Sequence, residues 1–348
     1  MKPDLWHLYQ LMFKSRLFEE AVMALWHEGK IFGEMHLGIG EEGISAGIVS
    51  QCMEGDALAL DHRGTPQCLM RGIDPVSLLL EFLGHRAGLC GGRGGHMHLY
   101  SKEHLVASSG IVGASCPTAV GFALSSKILR PGKIAVAFFG EGAVNQGMVM
   151  ESFNLASVWR LPVVFVCKDN GWAITTQSRA VTAGHLTDRA SSFGLLVIEA
   201  DGGDVEDVWH SAGLVIKHAR NGHGPSFLHI SCVRPEGHFL GDPLIRISRQ
   251  PVKEIAKIAG SLIQSITKIK GSTIKERSGS LGQVLQTLGK TYKEQSSNDK
   301  DPIRRLRKQL EKEPGRLRSL EEKVQQEIQT SVKSALDILE DQKRSDGS

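Results

Sequence analysis

The 348-residue chain is short of several things that define other kinds of protein. Its six cysteines (Cys52, Cys68, Cys90, Cys116, Cys167 and Cys232) form no C-x-x-C pair and no zinc-ligand spacing. That excludes a zinc ribbon and argues against a disulfide framework, so reduced core thiols in a cytoplasmic protein are expected. No apolar run approaches the roughly twenty residues that cross a bilayer. The opening "MKPDLWHLYQLMFKSRLFEEAV" has neither an apolar h-region nor a small-residue cleavage site, so no membrane association and no signal peptide are expected. Charge of one sign is missing too: a net charge of +3 gives no field that would gather nucleic acid. Aromatic residues make up only 6%, and Trp6, Trp26, Trp159 and Trp209 are assigned to core packing.

What is present has a clear order. Apolar residues recur at helical spacing from Leu5 to Glu28, predicting an amphipathic helix. Between Ile31 and Gly113 glycine is dense ("HLGIGEEGISAG", "CGGRGGHMH", "SSGIVGAS"), which predicts turns and close backbone approaches, with a helix over 75–83 between them. From Ile134 strands and helices alternate: "IAVAFFG", a helix over 145–159, "PVVFVCKDN", "LLVIEADG", a helix over 205–219, then "PSFLHISCV". Strands apolar throughout and separated by helices predict an α/β fold, a parallel sheet with helices on both faces. After Pro243 the composition shifts to Lys, Ser and Ile, then to charged helical patterns. The expected division is an α/β domain over 1–243, a helical insertion over 244–300 and a C-terminal helical segment over 301–348. The basic stretch "DPIRRLRKQLEKE" has mixed charges and reads as a solvated helix face.

One stretch stands out chemically. "AVAFFGEGAVNQG" places Glu141 between two glycines where an apolar strand turns into a helix, and a lone carboxylate there is costly unless something neutralises it. The next strand ends in Asp169-Asn170, roughly thirty residues on, the usual size of a βαβ unit. The two strand ends then lie side by side, offering hard oxygen ligands for Mg²⁺ beside a helix start that suits phosphate. Glycines 91, 92, 94 and 95 lack a preceding strand, so they read as a turn at the site rim rather than a dinucleotide cradle, and His96 and His98 as locally hydrogen-bonded loop residues.

These residues resemble the signature of thiamine diphosphate enzymes, and the chain is similar to the α subunits of the E1 component of 2-oxo acid and acetoin dehydrogenase complexes. The resemblance runs from about Leu5 to Pro243 and is carried, in order, by "LYQLMFKSRLFEEAV", "GKIFGEMHLGIGEEGISAG", "DHRG", "GGRGGHMH", "GIVGASCPTAVG", "FFGEGAVNQG", "PVVFVCKDNGWAITT" and "EGHFLGDP". It implies a thiamine diphosphate-binding fold and Mg²⁺ held by Glu141, the Asn170 side chain and the Trp172 carbonyl. Gly142 and Ala143 would offer amides to the diphosphate, with Arg63 and His238 as its charge partners and His62 beside them. His238 would also be catalytic, and Gly110 and Val112 would hold the aminopyrimidine ring. The implied activity is cleavage of acetoin, or decarboxylation of pyruvate or another 2-oxo acid, with transfer of the acyl group to a lipoyl-bearing E2 acyltransferase. The implied assembly is an α2β2 heterotetramer whose β subunit supplies the activating glutamate.

The sequence departs from the family pattern at Glu141, where Asp is usual, at Asp169, where Asn is common, and at Thr65, where many relatives have His. Phe239 follows the matching histidine where mitochondrial pyruvate dehydrogenases carry a regulatory serine, which excludes phosphorylation at that point. A non-catalytic relative acting as a structural or regulatory subunit is the alternative these departures raise. A single-chain transketolase-like enzyme is disfavoured because the chain is too short to hold both cofactor-binding halves.

Overall fold

The structure is a computed structural model and describes residues 2–174, 176–242 and 300–346. The expected insertion over 244–300 lies, Lys300 apart, outside the described residues. The first helix, α1 (Leu5–His27), is capped by Asp4, whose carboxylate accepts from the amides of Trp6 and His7. The chain continues through α2 (Glu42–Val49), β1 (Ala57–Leu60), α3 (Thr65–Met70), α4 (Pro75–Phe82), β2 (Tyr100–Ser101), β3 (Val106–Ser108) and α5 (Ser115–Leu129). Next come β4 (Ala135–Gly140), a 3-10 turn (Glu141–Asn145), α6 (Gly147–Val158), β5 (Val163–Asp169) and the hairpin β6 (Trp172–Ala173) and β7 (Thr176–Gln177). The helices α7 (Ser178–Val181) and α8 (Leu186–Ser192) lead into β8 (Leu196–Asp201), α9 (Val205–Arg220) and β9 (Ser226–Ser231). Two C-terminal helices follow, α10 (Pro302–Leu310) and α11 (Pro314–Asp346). Where the sequence predicts one helix from residue 145, the chain first makes the 3-10 turn, and the α-helix begins at Gly147.

Seven strands form one sheet in the order β2-β3-β1-β4-β5-β9-β8, parallel except for the short edge strand β2. Strand side chains alternate between two apolar layers: Val136 and Phe138 enter one cluster, and Ala135, Ala137 and Phe139 the other. The first layer packs under α1, α2, α4 and α9, the second under α5 and α6. Burying a Phe such as Phe138 or Phe165 contributes about 1.5–3 kcal/mol, so this two-faced core is the main reason the sheet forms. From β1 the chain goes to β3 on one side and then to β4 on the other, so the sheet reverses its winding at β1. A crevice at the strand C-terminal ends is expected at such a reversal.

α10 and α11 close the fold on α1. Ile303, Leu306, Leu310 and Leu317 pack with Leu8, Tyr9 and Met12, and the Tyr9 hydroxyl donates to Glu321 at 2.6 Å. Two of the four basic residues of α10 are engaged: Arg305 pairs with Asp201 and Asp204, and Arg307 with Glu321. Trp159 is 45% exposed at the end of α6, so its assignment to the core is corrected. The apolar layer behind α6 is already filled by Phe153 and Phe165.

Candidate active-site cleft

The C-terminal ends of β1, β3, β4 and β5 surround a cleft of about 280 Å³. Eight residues singled out in the sequence line it: His62 and Arg63 after β1, Val112 after β3, Glu141, Gly142 and Ala143 after β4, Trp172 after β5, and His238 after β9. Register explains the meeting, because Gly140 of β4 pairs with Lys168 of β5, which brings the Glu141 turn beside the Asp169-Asn170 end. Gly142 is required there by close approach, since a Cβ on it would lie 2.8 Å from Cβ of Ala173. Gly110 and Asn170 are not among the lining residues. Gly110 packs near Met97 and His98, and Asn170 Oδ1 accepts from Nη2 of Arg234 at 3.0 Å.

Glu141 is 2% exposed, and its carboxylate has one hydrogen-bond partner from another side chain, the Ser178 hydroxyl at 2.7 Å. Burial raises its pKa, against the opposing pull of Arg234 and the Ser178 hydrogen bond. Asp169 faces away from this point: Oδ2 meets Nε2 of His229 at 2.9 Å and Oδ1 accepts from the Gly171 amide at 2.8 Å.

Beneath the cleft runs a buried charge network that the sequence analysis missed. Lys168 Nζ bonds Glu41 Oε2 at 2.6 Å and lies 3.0 Å from Asp61 Oδ2, while Arg234 Nε lies 2.9 Å from Glu41 Oε1. Burial alone would push the Glu41 carboxyl up, but Lys168 and Arg234 hold it below the usual carboxylate range. Arg63 is 1% exposed and donates to the carbonyls of Leu37 and His238. Burial and Arg234 bring its pKa down to about 9. Arg63, Arg234 and Lys168 set three positive charges against the two of Glu41 and Asp61 in this network, and Arg63 and Arg234 line the cleft on the side where an anion could meet them. A lysine inside "VVFVCKD" was the visible signal, because a charge on a buried strand must find partners. Arg234, directly after β9, was visible only as a basic residue at a strand end.

Four imidazoles crowd the same wall. The ring centroids of His36 lie 4.7 Å from His62, 5.0 Å from His238 and 5.3 Å from His96. Burial first, and then the Arg63 guanidinium, lower His36 and His238 to about 3 and His96 to about 4, and push His62 well below the usual histidine range. His62 Nε2 is buried without a hydrogen-bond partner among the described residues. His96 is not locally bonded as expected: its Nε2 accepts from the His36 amide at 3.2 Å and lies 3.0 Å from His36 Nδ1. The glycine-rich loop over 91–95 instead wraps round Glu81, which accepts from the amides of Cys90, Gly92 and Gly94. That carboxylate fixes the loop and so presents His96 to His36.

The donor set fits a diphosphate: two guanidiniums, an unpartnered buried imidazole and glycine-bordered backbone converge on one cleft. The Glu141 carboxylate, whose hydrogen-bond partners are the Ser178 hydroxyl and its own backbone amide, fits a hard cation beside it. A cation at Asn170 would require Arg234 to release Oδ1.

The same features agree with what the chain is similar to. The family model described as dehydrogenase E1 component matches residues 9–268. The α subunit of acetoin:2,6-dichlorophenolindophenol oxidoreductase from Cupriavidus necator is 41% identical over 243 residues, covering 69% of this chain and 73% of that protein. The Bacillus subtilis protein of the same name is 38% identical over 240 residues, covering 68% and 72%. The pyruvate dehydrogenase E1 component subunit alpha of Zymomonas mobilis is 35% identical over 257 residues, covering 73% of each chain. Among solved structures a transketolase from Pichia stipitis shares the fold, with a TM-score of 0.52 at 15% identity; the match covers 84% of this chain and 48% of that one, so this chain spans about half its length. With a buried carboxylate and two guanidiniums lining a cleft at the sheet's switch point, and with 260 residues matched to one family, the chain belongs to the dehydrogenase E1 component family.

Proposed function

We infer that this chain is the α subunit of a thiamine diphosphate-dependent E1 dehydrogenase. It acts on acetoin, or on pyruvate or another 2-oxo acid, and passes the acyl group to a lipoyl-bearing E2 acyltransferase. The observation that carries the reading is the cleft itself, which His62, Arg63 and Arg234 line together with the buried Glu141. Arg63, Arg234 and His238 would hold the diphosphate, the Gly142 and Ala143 amides would meet it, and Gly110 and Val112 would hold its aminopyrimidine ring. Glu141, Asn170 and the Trp172 carbonyl would hold Mg²⁺. When bound, thiamine diphosphate supplies a carbanion equivalent for attack on a carbonyl. The chain's own task is to bind the anion, orient it and exclude water, while the neutral His238 at the cleft wall can accept or donate a proton.

Three exposed apolar residues border the cleft, Ile111 at 64%, Val112 at 54% and Ile174 at 56%. Such a mouth supports closure by a β subunit in an α2β2 assembly. Six free thiols fit a cytoplasmic location, and no described helix is long and apolar enough to cross a membrane. We divide the chain into an E1 domain over 1–243, an insertion over 244–300 and a helical segment over 301–348.

Calorimetry on the α chain co-purified with its β subunit tests this reading: thiamine diphosphate should bind stoichiometrically and Mg²⁺ should tighten it. Lipoamide-dependent turnover of acetoin against pyruvate then sets the substrate. Absence of cofactor binding by the wild-type pair would overturn the reading, and binding without turnover of any oxo substrate would favour the non-catalytic relative.

A further inference from the structure

Three of the crowded imidazoles, those of His36, His62 and His238, each offer a ring nitrogen within 4.8 Å of the other two, the one such grouping of metal-ligating side chains among the described residues. We propose that these three histidines form a second cation site, distinct from the Glu141 position, that takes a borderline divalent transition ion such as Zn²⁺ in the cofactor-free chain. Such an ion binds the cofactor-free chain whether or not the assigned activity holds.

Ligand chemistry favours it over a hard ion. Imidazole nitrogen suits Zn²⁺, whereas Mg²⁺ demands oxygen ligands. A tetrahedral Zn²⁺ with bonds of about 2.0–2.1 Å needs its nitrogens about 3.4 Å apart. From at most 4.8 Å, ring rotations and small shifts suffice. The orienting shell is already in place on one member: with His36 Nδ1 against His96 Nε2 at 3.0 Å, its Nε2 is left for the ion. The His62 Nε2, buried and unpartnered, gains the partner that it lacks. His238 must give up a 3.2 Å contact between its Nδ1 and Arg63 Nη2, while the guanidinium keeps the carbonyls of Leu37 and His238. Arg63, Arg234 and Lys168 oppose a cation, and Glu41 and Asp61 offset two of those three charges. Three histidines leave one position open, and since His62 and His238 line the cleft, that position faces it. Ion and diphosphate would therefore share His238 and exclude one another.

The test titrates the full chain, freed of cofactor, with Zn²⁺ against a chromophoric chelator. One equivalent should bind, with Mg²⁺ in large excess unable to displace it. His36→Asn and His62→Asn should each weaken binding at least tenfold, with circular dichroism confirming that the variants are folded. A double variant His218→Ala/His223→Ala, which removes the neighbouring-ring pair near the end of α9, should leave the affinity unchanged. No stoichiometric Zn²⁺, or an affinity that falls with the α9 pair and not with His36 and His62, overturns the proposal. Should the folded-state requirement fail for both single variants, the wild-type chain bound to Co²⁺ decides it: a tetrahedral absorption spectrum supports the site and an octahedral one overturns it. Thiamine diphosphate binding is read separately on the α and β pair, so Zn²⁺ bound by the chain with no cofactor bound by the pair refutes the assigned activity alone, and the reverse result refutes this site alone.

Discussion

Glu81 and Glu141 are both buried glutamates beside glycine-rich backbone, and their surroundings differ in one respect. Glu81 accepts from three backbone amides, those of Cys90, Gly92 and Gly94, whereas Glu141 has two partners, the Ser178 hydroxyl and its own amide. A carboxylate that is fully hydrogen-bonded by its own chain is a structural element. One left short of partners in a cleft is poised for a ligand, because the cost of its burial is recovered only when a cation or donor arrives. Glycine density is the same signal in both stretches; what the amides and carboxylates face is not.

The largest effect is expected where the comparison is structural. Glu81→Ala should orphan three part-buried amides of the 88–98 loop at about 1–2 kcal/mol each, lowering unfolding free energy by roughly 3–6 kcal/mol in denaturant melts. A loss below 1 kcal/mol would mean that the loop finds other acceptors and that the contrast with Glu141 is not structural.

Next comes a third buried glutamate. Glu19 is fully buried, accepts from the Gly38 amide at 2.8 Å, and is pushed up to about 8 by burial. Unfolded, the group titrates near 4.5, so between that value and about 8 the folded state keeps a proton that the unfolded chain has lost. Its contribution to stability is complete below pH 4.5 and falls as pH rises to 8, by on the order of 4 kcal/mol. Glu19→Gln keeps an acceptor for Gly38 and should flatten that slope in unfolding measured at pH 5, 6.5 and 8. An unchanged slope would show that Glu19 is ionised in the folded state.

Glu141→Ala should separate function from fold. Cofactor affinity is expected to fall about a hundredfold, roughly 2.7 kcal/mol, while unfolding free energy stays within about 1 kcal/mol of wild type. Loss of stability with unchanged affinity would place Glu141 in the same class as Glu81. The smallest effect is that of Glu141→Asp, which shortens the carboxylate by one methylene. Affinity should stay level or improve by less than about tenfold, read by the same calorimetry. A large loss would mean that the longer side chain is matched to this cleft.

Much of this was legible in the chain. The apolar strands from Ile134 onward predict the parallel sheet, since residues buried on both faces leave no polar alternation, and the spacing of Glu141 to Asn170 predicts two strand ends side by side. Other features were not. Asn170 is held by Arg234, 64 residues on, His96 by His36, 60 residues back, and Glu41 by Lys168, 127 residues on. Nothing in local spacing encodes such pairs. Trp159 illustrates the reverse limit, an aromatic on a helix whose inward face was already filled.

The sequence by itself determined the sheet, its order of elements, the carboxylate at the turn and the family to which they belong, because periodicity and turn chemistry act over a few residues. Only the tertiary structure decided which groups share the cleft. A parallel sheet gathers strand ends that are far apart in the chain, and the charges meeting there, Arg63, Arg234, Lys168, Glu41 and Asp61, are tolerated in the interior because each lies beside a charge or carbonyl brought from elsewhere.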